Sequence, residues 1–375
     1  MKKIVLMPDS FKGTMSSSEI CAIMRHRILA HFPDCEVVSI PVADGGEGTV
    51  DCMLEAVGGE WVTLTVKGPF MEDVESFYGI IDGGKTAVIE MAAAAGLPMA
   101  GERKDPRVTT TYGVGQLMAD AVRRGCKRIV VGLGGSCTND MGVGAAAGAG
   151  ARFLDAQGCE FIPTGATLDR IRAIDVSALR TLFEGVSITA MCDIDNPLYG
   201  ESGAAYVFAP QKGADELTVE LLDRNLRAGA VAVRESLGID VSATAGGGAA
   251  GGMGAGMVAF FGAQLKSGIG AVLDTVNFDM VAADADVILT GEGKIDSQSL
   301  RGKVVAGVAR RAKALRVPVI AIVGDIGDGI EPIYDMGVSA VFSTNRVAVD
   351  FSRAKLRARS DMDLTVDTVM RMLKL

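Results

Sequence analysis

Gly79-Ile80-Ile81-Asp82-Gly83-Gly84-Lys85-Thr86 satisfies the pattern G-x-x-x-x-G-K-[ST] of a phosphate-binding loop. A phosphate-cupping loop of that pattern must run from strand into loop into helix, so that amides at the helix start face the phosphate. The flanks do not allow this. Residues 74–81 and 86–91 both read as strands, and Asp82-Gly83-Gly84-Lys85 between them is hairpin chemistry. Together with residues 61–66 they make three strands too close for helical crossovers, so they pair antiparallel.

Outside this segment the pattern changes. Residues 4–7 form a short apolar strand, followed by a loop at 8–13 and a helix opened by Ser16 and Glu19 at capping-box spacing. Residues 37–42 give a second strand, then a glycine-rich loop and a helix near 48–57. Near the C-terminus the runs 287–289, 319–323 and 340–342 alternate with helical patterns at 304–315 and 364–373. Strand–helix alternation of this kind predicts a parallel sheet with helices on both faces. The expected fold class is therefore α/β. Residues 1–60 plus 286–375 form a doubly wound, flavodoxin- or Rossmann-like domain, and residues 61–285 form a second, glycine-rich α/β domain inserted into it. The inserted part carries helices near 113–124 and 215–236 and a buried strand at 129–131.

Bulk properties narrow the function. The 375 residues are 49% hydrophobic and 22% charged, which suits a well-buried enzyme. A net charge of −9 argues against nucleic-acid binding and means that an anionic substrate must be drawn in by local groups. The seven cysteines are odd in number and scattered, without a C-x-x-C pair, as expected of reduced thiols in the cytoplasm. No apolar run reaches the ~20 residues that span a bilayer, and residues 4–7 are too few for a signal-peptide core. His26 and His31 are the only histidines and share one predicted helix, so zinc-hydrolase and Ser-His-Asp chemistry lose their basis.

Six segments carry chemistry. Asp9-Ser10-Phe11-Lys12 follows the first strand, where ligands bind in open α/β sheets, and can hold an anion or aid proton transfer; a solvated loop is the alternative. Asp44-Gly45-Gly46-Glu47 follows the second strand and offers carboxylates for Mg²⁺ or a proton, with a tight turn as the alternative. Gly134-Gly135-Ser136-Cys137-Thr138-Asn139-Asp140 follows the buried strand and suits an anion cradle, or close helix packing. Asp193-Ile194-Asp195 sets two carboxylates at a strand end, as a Mg²⁺ site or a turn cluster. Glycines 246–256 allow backbone approach to a nucleotide, or make a hinge. Residues 290–303 gather Glu292, Lys294, Asp296, Arg301 and Lys303 with hydroxyls and glycines, a composition suited to an active-site wall.

Pro-Asp-Ser-Phe-Lys-Gly at 8–13 and Ala-Asp-Gly-Gly-Glu-Gly at 43–48 resemble the opening of the glycerate kinase family. Gly-Gly-Ser-Cys-Thr-Asn-Asp at 134–140, the glycines at 246–256 and Gly-Glu-Gly-Lys-Ile-Asp at 291–296 follow in that family's order and spacing. Cys137, Lys294 and Ser299 stand where the family often has alanine, arginine and threonine. The resemblance implies ATP-dependent phosphorylation of D-glycerate in glyoxylate or sugar-acid catabolism, and two α/β domains with the active site in the cleft between them. It points to 2-phosphoglycerate as product, with 3-phosphoglycerate the alternative. On this reading Asp9, Ser10, Lys12, Lys294 and Arg301 are candidates for holding the substrate, and Lys12, Asp44 and Asp296 for catalysis, with one of the two carboxylates accepting the hydroxyl proton. Asp193 and Asp195 would bind Mg²⁺, and Gly134, Gly135, Ser136, Asn139, Gly251, Gly252 and Gly254 would cradle ATP phosphates. A nucleotide-dependent oxidoreductase lacks its G-x-G-x-x-G fingerprint here, and a sugar-acid sensor leaves the charged loops unexplained. Self-association into a homo-oligomer is left open.

Overall fold

The computed structural model describes the chain except Asp44, Gln298 and the side chain of Arg301. It separates into two compact units, Met1–Asp44 with Asp51–Gly58 and Ser267–Leu375, and Gly45–Val50 with Gly59–Lys266.

The first unit holds a five-stranded sheet in the order Val338–Ser343, Val319–Val323, Val287–Gly291, Lys3–Pro8, Glu36–Ser39. Every pair is parallel. Numbered along this unit the order is 2-1-3-4-5 read from the other edge, the flavodoxin-like arrangement, so the strand order reverses between Lys3–Pro8 and Val287–Gly291. Alternation sends Ile4, Leu6, Leu289, Ile320 and Ile322 to one face, where they pack with Ile20, Met24 and Ile28 of helix Ser17–His31 and Met362, Val366 and Val369 of helix Phe351–Leu373. Each such fully buried aliphatic side chain contributes roughly 1.5–3 kcal/mol. The other face is covered by helix Val304–Leu315 through Val304, Val305 and Val308. Helix Ser17–His31 starts at the expected capping box: the Glu19 amide donates to Ser16 Oγ at 3.1 Å, and the Ser16 amide donates to Glu19 Oε2 at 2.8 Å.

Helices Gly268–Thr275 and Phe278–Ala282 belong to this first unit, whereas the sequence placed its boundary at 285. Packing explains the difference. A Cβ at Gly307 would come within 2.5 Å of Ile269, so helix Val304–Leu315 is seated on Gly268–Thr275. Arg311 also reaches Asp274 at 2.8 Å and Asp279 at 2.7 Å.

The second unit has a six-stranded sheet in the order Gln264–Lys266, Ser187–Met191, Arg128–Gly132, Thr86–Glu90, Asp73–Ile81, Glu60–Lys67. The first four strands are parallel, and the last two pairings are antiparallel. Helices Tyr112–Arg123, Glu216–Leu237 and Ala249–Phe261 supply much of its core. Gly79–Thr86 is a hairpin: Gly79 pairs with Val88 and Ile81 with Thr86, across a 3-10 turn at Asp82–Gly84 in which Asp82 and Gly83 take positive φ. No helix begins after Lys85, because Thr86–Glu90 is the next strand.

Lys85 is exposed at the end of that turn. Lys85→Ala should therefore change stability by no more than about 0.5 kcal/mol and leave turnover within a few-fold of the parent. A turnover loss on the order of 10²-fold or more, as for a donor to reacting oxygens, would restore the phosphate-loop reading.

Candidate active site

The reversal between Lys3–Pro8 and Val287–Gly291 is where an open α/β sheet opens a crevice at the carboxyl ends of its strands. Pro8 is in register with Gly291, and the Asp9 amide donates to the Gly291 carbonyl at 2.8 Å. The Asp9 carboxylate accepts the Ser10 amide at 2.7 Å. Phe11 and Met15 then pair across a tight turn in which Gly13 takes φ +78°, which hands the chain to the Ser17 helix. Ser10 is half-buried and Lys12 is exposed.

The opposing loop is drawn in by backbone contacts that tolerate no side chain. A Cβ at Gly291 would lie 2.0 Å from the Ile322 carbonyl oxygen, and one at Gly324 would lie 2.3 Å from the Gly293 carbonyl oxygen. The Gly324 amide donates to Glu292 O, and Asp325 donates to Gly293 O, each at 3.1 Å. Lys294–Ile295 continues this as a short parallel ladder with Asp325–Ile326. A Cβ on Gly293 would be 3.7 Å from the Lys12 amide nitrogen, so the Asp9–Lys12 and Glu292–Asp296 loops lie side by side. Asp296 ends the segment in a turn, its carbonyl accepting the Ser299 amide at 2.9 Å, and its carboxylate lies 3.6 Å from Lys294 Nζ.

Glu292 sits at the centre of these loops and is 4% exposed. Burial pushes its carboxyl up to about 7, and the Asp9 and Asp296 carboxylates push the same way; a Ser299 hydrogen bond and the Lys303 ammonium oppose them. The structure brings Asp9, Ser10, Lys12, Lys294 and Asp296 to one edge and adds Glu292 between them. Asp44 and the side chain of Arg301 lie outside the described residues.

In the second unit, Gly132-Leu133-Gly134 packs against Gly45 and Gly46. A Cβ at Gly132 would be 2.3 Å from Gly45 O, and one at Gly134 would be 2.7 Å from Gly46 Cα. That contact, with the Val50 amide donating to Glu90 Oε1 at 2.7 Å, anchors residues 45–50 on this unit. Lys212, 2% exposed, donates to Ser136 Oγ at 2.9 Å and to the Thr138 carbonyl at 2.6 Å. Its burial pulls the ammonium down to about 8. Asp140, fully buried, accepts the Thr111 amide at 2.8 Å, the Thr111 hydroxyl at 2.9 Å and the Gly142 amide at 3.1 Å. Burial pushes its carboxyl upward while those donors favour the charged form. Thr138 Oγ1 and both polar atoms of the Asn139 side chain are buried without a partner among the described residues.

Gly251, Gly252 and Gly254 lie against this same segment or its support. Cβ atoms there would be 2.0 Å from Thr138 O, 2.9 Å from Met141 Cα and 2.2 Å from Gly246 O, respectively. Ala250, Gly251 and Gly252 take left-handed dihedrals inside the Ala249–Phe261 helix, and the Met141 amide donates to Gly251 O at 3.1 Å. Close packing therefore accounts for these glycines. Asp193 and Asp195 follow strand Ser187–Met191 and are both exposed. Among the described residues no three His, Cys, Asp or Glu side chains converge as a metal cage. A two-carboxylate site suits Mg²⁺, which keeps waters and phosphate oxygens in its remaining positions.

Sequence reasoning missed two residues. Glu292 lies in the charged run 290–303, and its signal is its place as the first carboxylate past a strand end, between two glycines. Lys212 had no comparable signal, because only the fold carries the Pro210–Lys212 turn to Ser136.

Fold and site define a two-unit α/β protein with carboxylates and ammonium groups gathered at the switch point of a parallel sheet. The chain belongs to the glycerate kinase family, whose sequence profile matches residues 4–374. It is 42% identical over 368 residues to a glycerate kinase of Bacillus cereus, covering 98% of this chain and 97% of that one. It is 45% identical over 342 residues to the glycerate 2-kinase of Escherichia coli K12, covering 91% and 90%. A crystal structure from Salmonella typhimurium LT2, provisionally named glycerate kinase 2, superposes with a TM-score of 0.89 at 41% identity, covering 100% of this chain and 98% of that one.

Gly251 and Gly238 have matching φ values of +71° and +72°, but only Gly251 is backed by main chain, with nothing within 4 Å of a Cβ at Gly238. Gly238→Ala should cost about 1–2 kcal/mol from left-handed strain alone. Gly251→Ala should cost about 3 kcal/mol or more, because overlap adds to the same strain. Denaturant midpoints of the two variants check this, and equal losses would contradict the packing account.

Proposed function

We propose that this chain transfers the γ-phosphoryl group of ATP to D-glycerate, yielding 2-phosphoglycerate and ADP. The observation that carries the reading is the convergence of Ser10, Lys12, Lys294, Asp296 and Glu292 at the switch point, in a chain of this family. Phosphoryl transfer asks mainly for positioning and charge neutralisation, and both are available from these groups. Ser10 and Lys12, with help from Lys294, hold the glycerate carboxylate. Lys294 does so as a point charge, without an arginine's fork. A carboxylate of the same edge receives the hydroxyl proton.

The Gly134 amide donates to the Gly45 carbonyl at 3.0 Å, so the Gly135 and Ser136 amides and the Ser136 hydroxyl, held in place by Lys212, bind phosphate oxygens; the Thr138 and Asn139 polar atoms, without partners among the described residues, fit such a ligand. Asp193 and Asp195 hold Mg²⁺, which when bound neutralises phosphate charge. Asp193→Asn removes one charge with almost no change in volume on an exposed side chain. It should raise the Mg²⁺ concentration needed for half-maximal turnover while leaving the melting temperature near the parent's, and an unchanged Mg²⁺ titration would leave a turn cluster only. Among the described residues no helix is long and apolar enough to cross a membrane. We place the enzyme in the cytoplasm, serving sugar-acid catabolism, on its scattered free thiols.

Position on the substrate is tested by coupling to enolase. A carboxylate clamped by Lys12 and Lys294 leaves the adjacent C2 hydroxyl nearest the charged loops, while a misplacement of ~1 Å can cost about 10²-fold in rate. With D-glycerate and MgATP, enolase alone should consume the product at once. A strict need for added phosphoglycerate mutase would make the 3-hydroxyl the nucleophile. No product under either condition would end the glycerate assignment.

A further inference from the structure

We infer that Glu292 is the proton acceptor for the attacking glycerate hydroxyl, a role that rests on the kinase reading above. Glu292 is the first residue past strand Val287–Gly291, the strand on one side of the switch point, and its loop lies beside the one carrying Asp9. It is 4% exposed, and its buried Oε1 has no hydrogen-bond partner among the described residues. Buried polar oxygens are overwhelmingly paired, since each unpaired one costs desolvation without return. A carboxylate kept only for structure would have its oxygens satisfied by donors, as Asp140 does with the amides and hydroxyl around it. Glu292 instead keeps lone pairs available at the edge where the substrate is proposed to bind.

The neighbouring carboxylates are committed elsewhere. Asp296, a candidate from the sequence, is ion-paired with the Lys294 ammonium at 3.6 Å. Asp9 accepts the Ser10 amide at 2.7 Å. The charged groups acting on Glu292 are Asp9 from the neighbouring loop and Asp296 and Lys303 from its own segment, with the Ser299 hydroxyl bonding to it. Their balance with burial leaves the carboxyl at about 7, where a base is both deprotonated in part and still avid for a proton.

The bond between the γ-phosphorus and the bridging oxygen breaks, and its electron pair stays on ADP. The substrate oxygen bonds to phosphorus as its proton passes to Glu292, which later releases that proton to water.

The deprotonated form is the active one, so turnover should rise with pH through about 7. Stability should run the other way. A carboxyl raised from 4.5 to about 7 by folding contributes stability that is complete below 4.5 and lost as pH rises through 7. Glu292→Gln mimics the protonated acid, so its melting temperature should match the parent's in acid and equal or exceed it at alkaline pH.

The test measures kcat, KM and melting temperature of parent and E292Q from roughly pH 5.5 to 8.5, with glycerate and MgATP. The role predicts a kcat lower by about 10²-fold or more, KM values within a few-fold, and loss of the acid limb near neutrality. Glu292→Asp keeps a carboxylate and should retain partial turnover with that limb present, which decides the matter if E292Q does not fold. An active parent whose E292Q variant keeps kcat within about three-fold, or keeps the acid limb, overturns the role alone. A parent that never phosphorylates glycerate takes down the kinase reading and this role with it.

Discussion

The parallel pairing of Lys3–Pro8 with Val287–Gly291 is the constraint on which the rest of the first unit depends. It joins segments far apart in sequence and sets Pro8 opposite Gly291. In parallel strands the side-chain period is two, so a slip of one residue would turn Ile4, Leu6 and Leu289 away from their helices and carry Asp9 out of step with Glu292. Burial of the aliphatic face thus fixes the register, and the register fixes the functional edge. The same pairing creates the reversal of strand order, which leaves no crossover helix over the strand ends.

Close main-chain contact is the second organising feature, and it explains most of the chain's notable glycines. At Gly291 and Gly324 it stacks the switch-point loops; at Gly132 and Gly134 it seats residues 45–46; at Gly251 it supports the Thr138–Asp140 turn. Glycine here serves proximity more than mobility. The loops that carry polar groups are consequently held by backbone contacts with little freedom to adjust, which suits a reaction that depends on positioning. Asp140 and Lys212 reinforce this in the second unit, each buried and each bonded to backbone or hydroxyl groups of neighbouring segments.

Much of this was legible in the sequence because it is local. The capping box at Ser16 and Glu19, the hairpin at Asp82–Gly84, and the strand-end positions of Asp9 and Asp296 all follow from spacing and flanking residues. What escaped was non-local. Residues 45–50 look like part of the first domain until Gly132 and Gly134 are seen to leave room for them. Residues 268–282 look like the end of the insertion until Ile269 meets Gly307. The orphaned oxygen of Glu292 and the burial of Lys212 depend on which atoms surround them, and composition says nothing about that. The glycines at 246–256 carried two readings in sequence, and contact distances favour a third, tight packing.

The proposed function turns on transfer of a phosphoryl group from ATP to a glycerate oxygen and not to water. Phosphorus NMR of the protein with D-glycerate and MgATP follows the transferred phosphorus atom itself. The γ-phosphate resonance of ATP should decline as a phosphomonoester resonance grows in equal amount, only when D-glycerate is present. Growth of inorganic phosphate alone, or a γ-phosphate signal that glycerate does not change, would contradict it.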